Sequence, residues 1–134
     1  ELTTWISYRR GRELSAPQYV QAVSTVHAFG RAMAGLFADY DILLLSTTGR
    51  PAPPVGWLSE DLSQYASRLF SFMNNTQAFN NTGQPAMSVP LAWSASGLPL
   101  GLQFVAPMGQ EARLFRLAGQ VEQARPCSDH VAPL

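Results

Sequence analysis

Phe79–Gln103 reads FNNTGQPAMSVPLAWSASGLPLGLQ, and the rest of the chain is placed around it. Gly83 and Pro85 stop whatever precedes them. Met87, Val89 and Leu91 then alternate with Ala86, Ser88 and Pro90, the period of two that belongs to a strand with two unlike faces. Ser94–Gly97 supply turn residues, after which Leu100, Leu102 and Phe104 alternate with Gly101, Gln103 and Val105. The pattern predicts a β-hairpin over 86–105, with a loop longer than the two-residue type. Pro90 has no N–H to give a ladder, so its strand lies at an edge or carries a bulge.

Working outward, Ile42–Leu45 is a continuous apolar run led in by Asp41 and closed by Ser46-Thr47-Thr48-Gly49. It predicts a strand over 42–46, buried on both faces as in a parallel or mixed sheet. Upstream, Ser15-Ala16-Pro17-Gln18 has the form of a capping box and opens a helix over 15–40. Tyr19, Val23, Val26, Gly30, Met33, Phe37 and Tyr40 fall on one stripe of that helix, with Phe29 and Leu36 beside it, so one face is expected to be buried. Residues 1–11 read as the end of an earlier helix, closed by Arg9, Arg10 and Arg12. Three prolines make 50–56 an irregular loop. Leu62, Tyr65, Ala66, Leu69, Phe70 and Met73 predict a weaker helix over 62–73, and Thr76 is expected to cap a short turn ending at Gly83. Leu114, Leu117, Ala118 and Val121 stripe a last helix over 110–125, ended by Pro126. Helices interleaved with strands make the fold class α/β.

The composition narrows the function. Of 134 residues, 46% are apolar and only 13% charged, against about a quarter charged in ordinary domains. So few charges imply a surface that further protein normally covers. A formal net charge of zero argues against a nucleic-acid partner or an anionic membrane surface. No apolar run approaches a membrane span and no signal pattern opens the chain, so the expected location is cytoplasmic. On that ground the sequon matches at Asn74 and Asn80 are read as chance.

The chain carries few candidate reactive constellations. His27 and His130 lie far apart with no paired ligands, and Cys127 has no base beside it. No Gly-x-Ser-x-Gly elbow is present, and Glu60-Asp61 read as a solvated loop. All nine basic residues are arginine, so a lysine-ended phosphate loop is excluded.

The pattern Thr76-x-x-x-Asn80-x-x-Gly83-x-Pro85-Ala86-x-Ser88-x-Pro90, followed by Gly97-Leu98-Pro99-x-Gly101-x-Gln103, resembles the C-terminal segment of the amidase-signature hydrolases. It is most similar to the branch containing 6-aminohexanoate cyclic-dimer hydrolases. Ser46 stands where that family has a proline. The resemblance covers nearly all of residues 1–134, as the C-terminal portion of an amidase-signature domain. It implies part of a mixed β-sheet flanked by helices, incomplete without an N-terminal part. It also implies hydrolysis of linear or cyclic carboxamides by a Ser–cis-Ser–Lys triad, with no cofactor and no metal. That triad needs a lysine and a Gly/Ser-rich segment, and this chain has neither. Alone it is therefore expected to be inactive. The implied partners are the remainder of the amidase chain and a small amide substrate, and a separated copy can form a homo-oligomer.

By the same resemblance Thr76, Phe79 and Asn80 build one wall of the substrate pocket, with Thr76 and Phe79 on its acyl side. Asn80 has a second reading, in which its amide satisfies backbone groups at the Gly83 turn. Trp93 reads as a sheet-packing aromatic. Two other functions stay open: a stand-alone, non-catalytic binding domain, and an independent hydrolase of unrecognised chemistry.

Overall fold

Ser15 holds an extended backbone (φ −80°, ψ 157°) and starts the 24-residue helix α2, Ala16–Asp39. The Ser15 backbone N–H donates to Gln18 Oε1 at 2.8 Å, while the Gln18 N–H donates back to Ser15 Oγ at 3.5 Å. Both halves of the capping box are thus formed. The computed structural model describes residues 2–73 and 75–127, so the reading of His130 lies outside the described residues. Helix α1 (Leu2–Glu13) precedes α2 and ends on Arg10 and Arg12, as the helix dipole favours.

The apolar stripe of α2 is present but mostly uncovered. Tyr19 is 66% and Tyr40 62% exposed, and no described residue of the helix is buried. The expectation of a buried face is corrected here for a simple reason. The contact that covers it comes from a much shorter helix, α4 (Gln77–Thr82), which meets α2 where Gly30 faces Thr82. A six-residue helix cannot cover one four times its length.

Three strands follow: β1 (Leu43–Ser46), β2 (Ala86–Trp93) and β3 (Pro99–Val105). They form an antiparallel sheet in the order β1-β3-β2. β2 lies at an edge and its register shifts between Pro90 and Ala92, which accommodates the missing proline N–H. β1 is also an edge among the described strands, and Leu44 is 53% exposed. The expected burial on both faces is therefore not supplied by this chain. An apolar run reports that a strand is covered, not which segment covers it.

Helix α3 (Tyr65–Met73) begins three residues later than the 62–73 periodicity suggests. Asp61 Oδ1 accepts from both the Ser63 N–H (2.9 Å) and the Ser63 hydroxyl (2.7 Å), so 61–64 closes as a turn instead. Helix α5 (Glu111–Ala124) ends the described fold.

One sheet face carries Met87, Val89, Leu91, Leu102 and Phe104 and packs with Ile42 and Ala106 against Leu114 and Leu117 of α5. Near-complete burial of Phe104 and Leu114 contributes about 1.5–3 kcal/mol each, and the half-buried members contribute less. Arg113 donates to Asp41 Oδ1 at 2.6 Å and links α5 to the entrance of β1 at the surface. Helices beside a sheet make the architecture α/β. Among the described residues no helix is long and apolar enough to cross a membrane.

Candidate functional site

The opposite face of the sheet carries polar side chains among its apolar ones. Gln103 of β3 stands between Leu45 of β1 and Ser88 of β2, so all three side chains point the same way. Thr47 extends the ladder past β1, its N–H donating to the Gly101 carbonyl oxygen at 2.8 Å. The Thr47 and Ser88 hydroxyls meet at 2.6 Å directly over Gly101. A Cβ on Gly101 would lie 2.7 Å from Ser88 Oγ and 2.8 Å from Thr47 Oγ1. Glycine is what lets the hydroxyl pair close over β3.

Helix α4 forms the second wall. It is held to β1 by the preceding segment, where the Asn75 amide donates to the Ser46 carbonyl oxygen (2.8 Å) and hydroxyl (2.9 Å). Gly83 ends α4 in the left-handed conformation (φ 79°), its N–H donating to the Phe79 carbonyl oxygen. Between α4 and the sheet lies a hollow of about 240 Å³. Thr76, Phe79 and Asn80 all line it, opposite Thr47, Ser88 and Gln103.

Phe79 is buried at 6% exposure. Gln84 closes the floor, its Oε1 sharing the Thr82 hydroxyl with the Ala78 carbonyl oxygen. Thr76 does not cap α4, against expectation. Its backbone is already helical (φ −84°, ψ −32°), which points Oγ1 back to the Met73 carbonyl oxygen at 3.3 Å. Nor does the Asn80 amide bond the Gly83 turn among the described residues, since the Phe79 carbonyl already closes it.

The family model described as Amidase matches residues 1–115. The chain belongs to the amidase family. It is 42% identical over 107 residues to "Putative amidase AmiC" of Mycobacterium leprae, covering 79% of this chain and 23% of that protein. It is 32% identical over 135 residues to the 6-aminohexanoate-cyclic-dimer hydrolase of Paenarthrobacter ureafaciens, covering 94% and 27%. A solved structure of 6-aminohexanoate cyclic dimer hydrolase superposes with a TM-score of 0.84 at 30% identity, covering 94% of this chain and 28% of that one. The chain thus spans about a quarter of the length of the relatives it matches.

In this amidase segment the hollow is lined by hydroxyls, carboxamides and apolar groups, with no charged side chain among the described lining residues. The Thr47–Ser88 pair therefore has no proton acceptor beside it, and a hydroxyl without one is a weak nucleophile. Arg50, Arg68 and Glu60 do not line the hollow. The Arg50 and Arg68 guanidiniums lie 4.5 and 5.1 Å from the centre of the Trp57 ring, and Arg68 also pairs with Glu60 at 3.4 Å. Among the described residues no group of three His, Cys, Asp or Glu could hold a metal.

Sequence reasoning missed Thr47, Gln84, Ser88 and Gln103 as lining residues. Alternation alone places Ser88 and Gln103 on consistent faces of their own strands. Only the register that sets them opposite each other brings them to one wall.

Proposed function

We propose that the chain is the C-terminal part of an amide hydrolase acting on linear or cyclic carboxamides, with its Ser–cis-Ser–Lys triad in the remainder of the enzyme. The hollow between α4 and the sheet then forms a wall of the substrate pocket, with Thr76 and Phe79 toward the acyl group and Asn80 at the rim. The observation that supports this reading is an uncharged hollow with no base among its described lining residues, in an amidase segment about a quarter the length of its relatives. Such a wall suits neutral amides. Phe79 supplies apolar contact for the acyl chain, while the surrounding hydroxyls and carboxamides offer hydrogen bonds that orient it.

The test compares the 134-residue chain with the complete reading frame that contains it, both assayed on linear and cyclic carboxamides. The chain alone is expected to show no turnover and the complete protein to hydrolyse amides. In the complete protein Phe79→Ala should raise KM by about tenfold, the loss of one aromatic contact. A complete protein without amidase activity, or an upstream sequence lacking both a lysine and a Gly/Ser-rich segment, overturns the proposal.

A further inference from the structure

Gln103 holds a polar demand that the described protein leaves unmet. The residue is 3% exposed, yet its Oε1 is buried without a hydrogen-bond partner among the described residues. Leaving a buried carboxamide oxygen unpaired costs about 1–3 kcal/mol, and most such atoms in folded proteins find a donor. The Ser88 hydroxyl, on the residue directly across the ladder, is paired with the Thr47 hydroxyl instead. Gln103 itself lines the hollow beside Phe79 and Asn80.

We infer that Gln103 Oε1 accepts the N–H of a carboxamide ligand seated in this hollow, and so selects an amide over an ester of the same shape. The ligand class rests on the amidase reading above; the acceptor role rests on the orphaned oxygen. The last side-chain torsion of glutamine is soft, so the oxygen turns into the hollow at little cost. The uncharged lining favours a neutral ligand over a carboxylate or an ammonium. Phe79 receives the acyl chain, which brings the amide N–H to the Gln103 side. An ester presents an oxygen at the same place. It then leaves Gln103 unpaired and sets two acceptors against each other, the situation in which hydrogen-bonding sites discriminate well.

The test titrates the complete protein that contains this chain, labelled with ¹⁵N-glutamine, and reads the Gln103 side-chain amide by NMR. Three probes with one acyl chain are used: N-methylhexanamide, its near-isostere methyl hexanoate, and the one-methyl-larger N,N-dimethylhexanamide. Only the first has an N–H. It should shift the Gln103 signals saturably and bind about five-fold more tightly than either of the others, the worth of one net hydrogen bond. Gln103→Leu should erase that preference, read from the Phe79 resonances, by weakening the first probe and relieving the opposed acceptors of the ester. The near-isosteric ester keeps the test decisive even if the variant fails to fold. Equal affinity for all three probes, absence of saturable shifts, or a preference that survives Gln103→Leu each overturns the inference. So does a Gln103→Leu effect confined to melting temperature, because the oxygen would then be paired by the remainder of the enzyme. No turnover is read, so failure here is distinct from failure of the amidase assignment.

Discussion

Gly101 shows how much of the site hangs on one absent side chain. The Thr47–Ser88 hydroxyl contact closes over its Cα, and Thr47 Cβ would lie 3.1 Å from an added methyl. The hydroxyls can rotate away, but the Thr47 Cβ is fixed by the backbone bond from its N–H to the Gly101 carbonyl oxygen. Gly101→Ala should therefore destabilise the chain by about 1–3 kcal/mol in urea unfolding, the usual cost of overpacking. Ser88→Ala in the same chain removes the nearest clashing atom and should recover part of that loss, a coupling the double-mutant cycle reads directly. Additive losses would show that the hydroxyl pair does not crowd Gly101.

At the scale of elements, the capping box of α2 is a local device and can be tested locally. Ser15→Ala removes the acceptor for the Gln18 N–H and the partner of the Gln18 amide. It should cost about 1 kcal/mol in urea unfolding, and Ser15→Asp should restore most of it. The turn before α3 is tested through its charge. Hydrogen bonds from the Ser63 hydroxyl and then its backbone N–H hold the Asp61 carboxyl below the ordinary carboxylate range, with a smaller contribution from the Arg68 charge. A depressed folded pKa favours the fold fully above the unfolded value. That contribution is lost as pH falls through the lower folded value, so the turn should loosen only in acid. In an NMR titration, Ser63→Ala should move the Asp61 midpoint part of the way up, since the backbone bond remains; an unmoved midpoint would refute the assignment of cause.

What the sequence disclosed follows the same division between local and distant. The capping box, the hairpin and the α5 stripe depend on neighbours within a few residues, and those are written in the chain. The role of Thr76 was misread because a hydroxyl before a helix is a cap only when its backbone is extended. The pocket wall was partly legible. Thr76, Phe79 and Asn80 came from the family pattern, whereas Thr47 and Gln103 needed the strand register, which joins residues more than fifty positions apart.

For the whole molecule the telling quantity is surface. A compact 14.6 kDa monomer exposes about 6,900 Å², and this chain exposes 9856 Å². The excess, roughly 3,000 Å², is of the order that obligate partners cover. Much of it is apolar: Trp5 and Tyr8 on α1, Tyr19 and Phe29 on α2, Tyr40 just after it, and Leu44 on the β1 edge are 43% exposed or more. In water such faces associate with each other when nothing else covers them. Light scattering during size exclusion should therefore give the isolated chain a mass above 14.6 kDa that rises with concentration, together with strong binding of a hydrophobic dye. Supplying the remainder of the amidase should abolish both, because the same faces would then be covered within one molecule. A sharp peak at the monomer mass, with no dye binding and cooperative unfolding, would instead mark a self-sufficient binding domain. The surface excess would then have to be solvated in a way that so few charges do not allow.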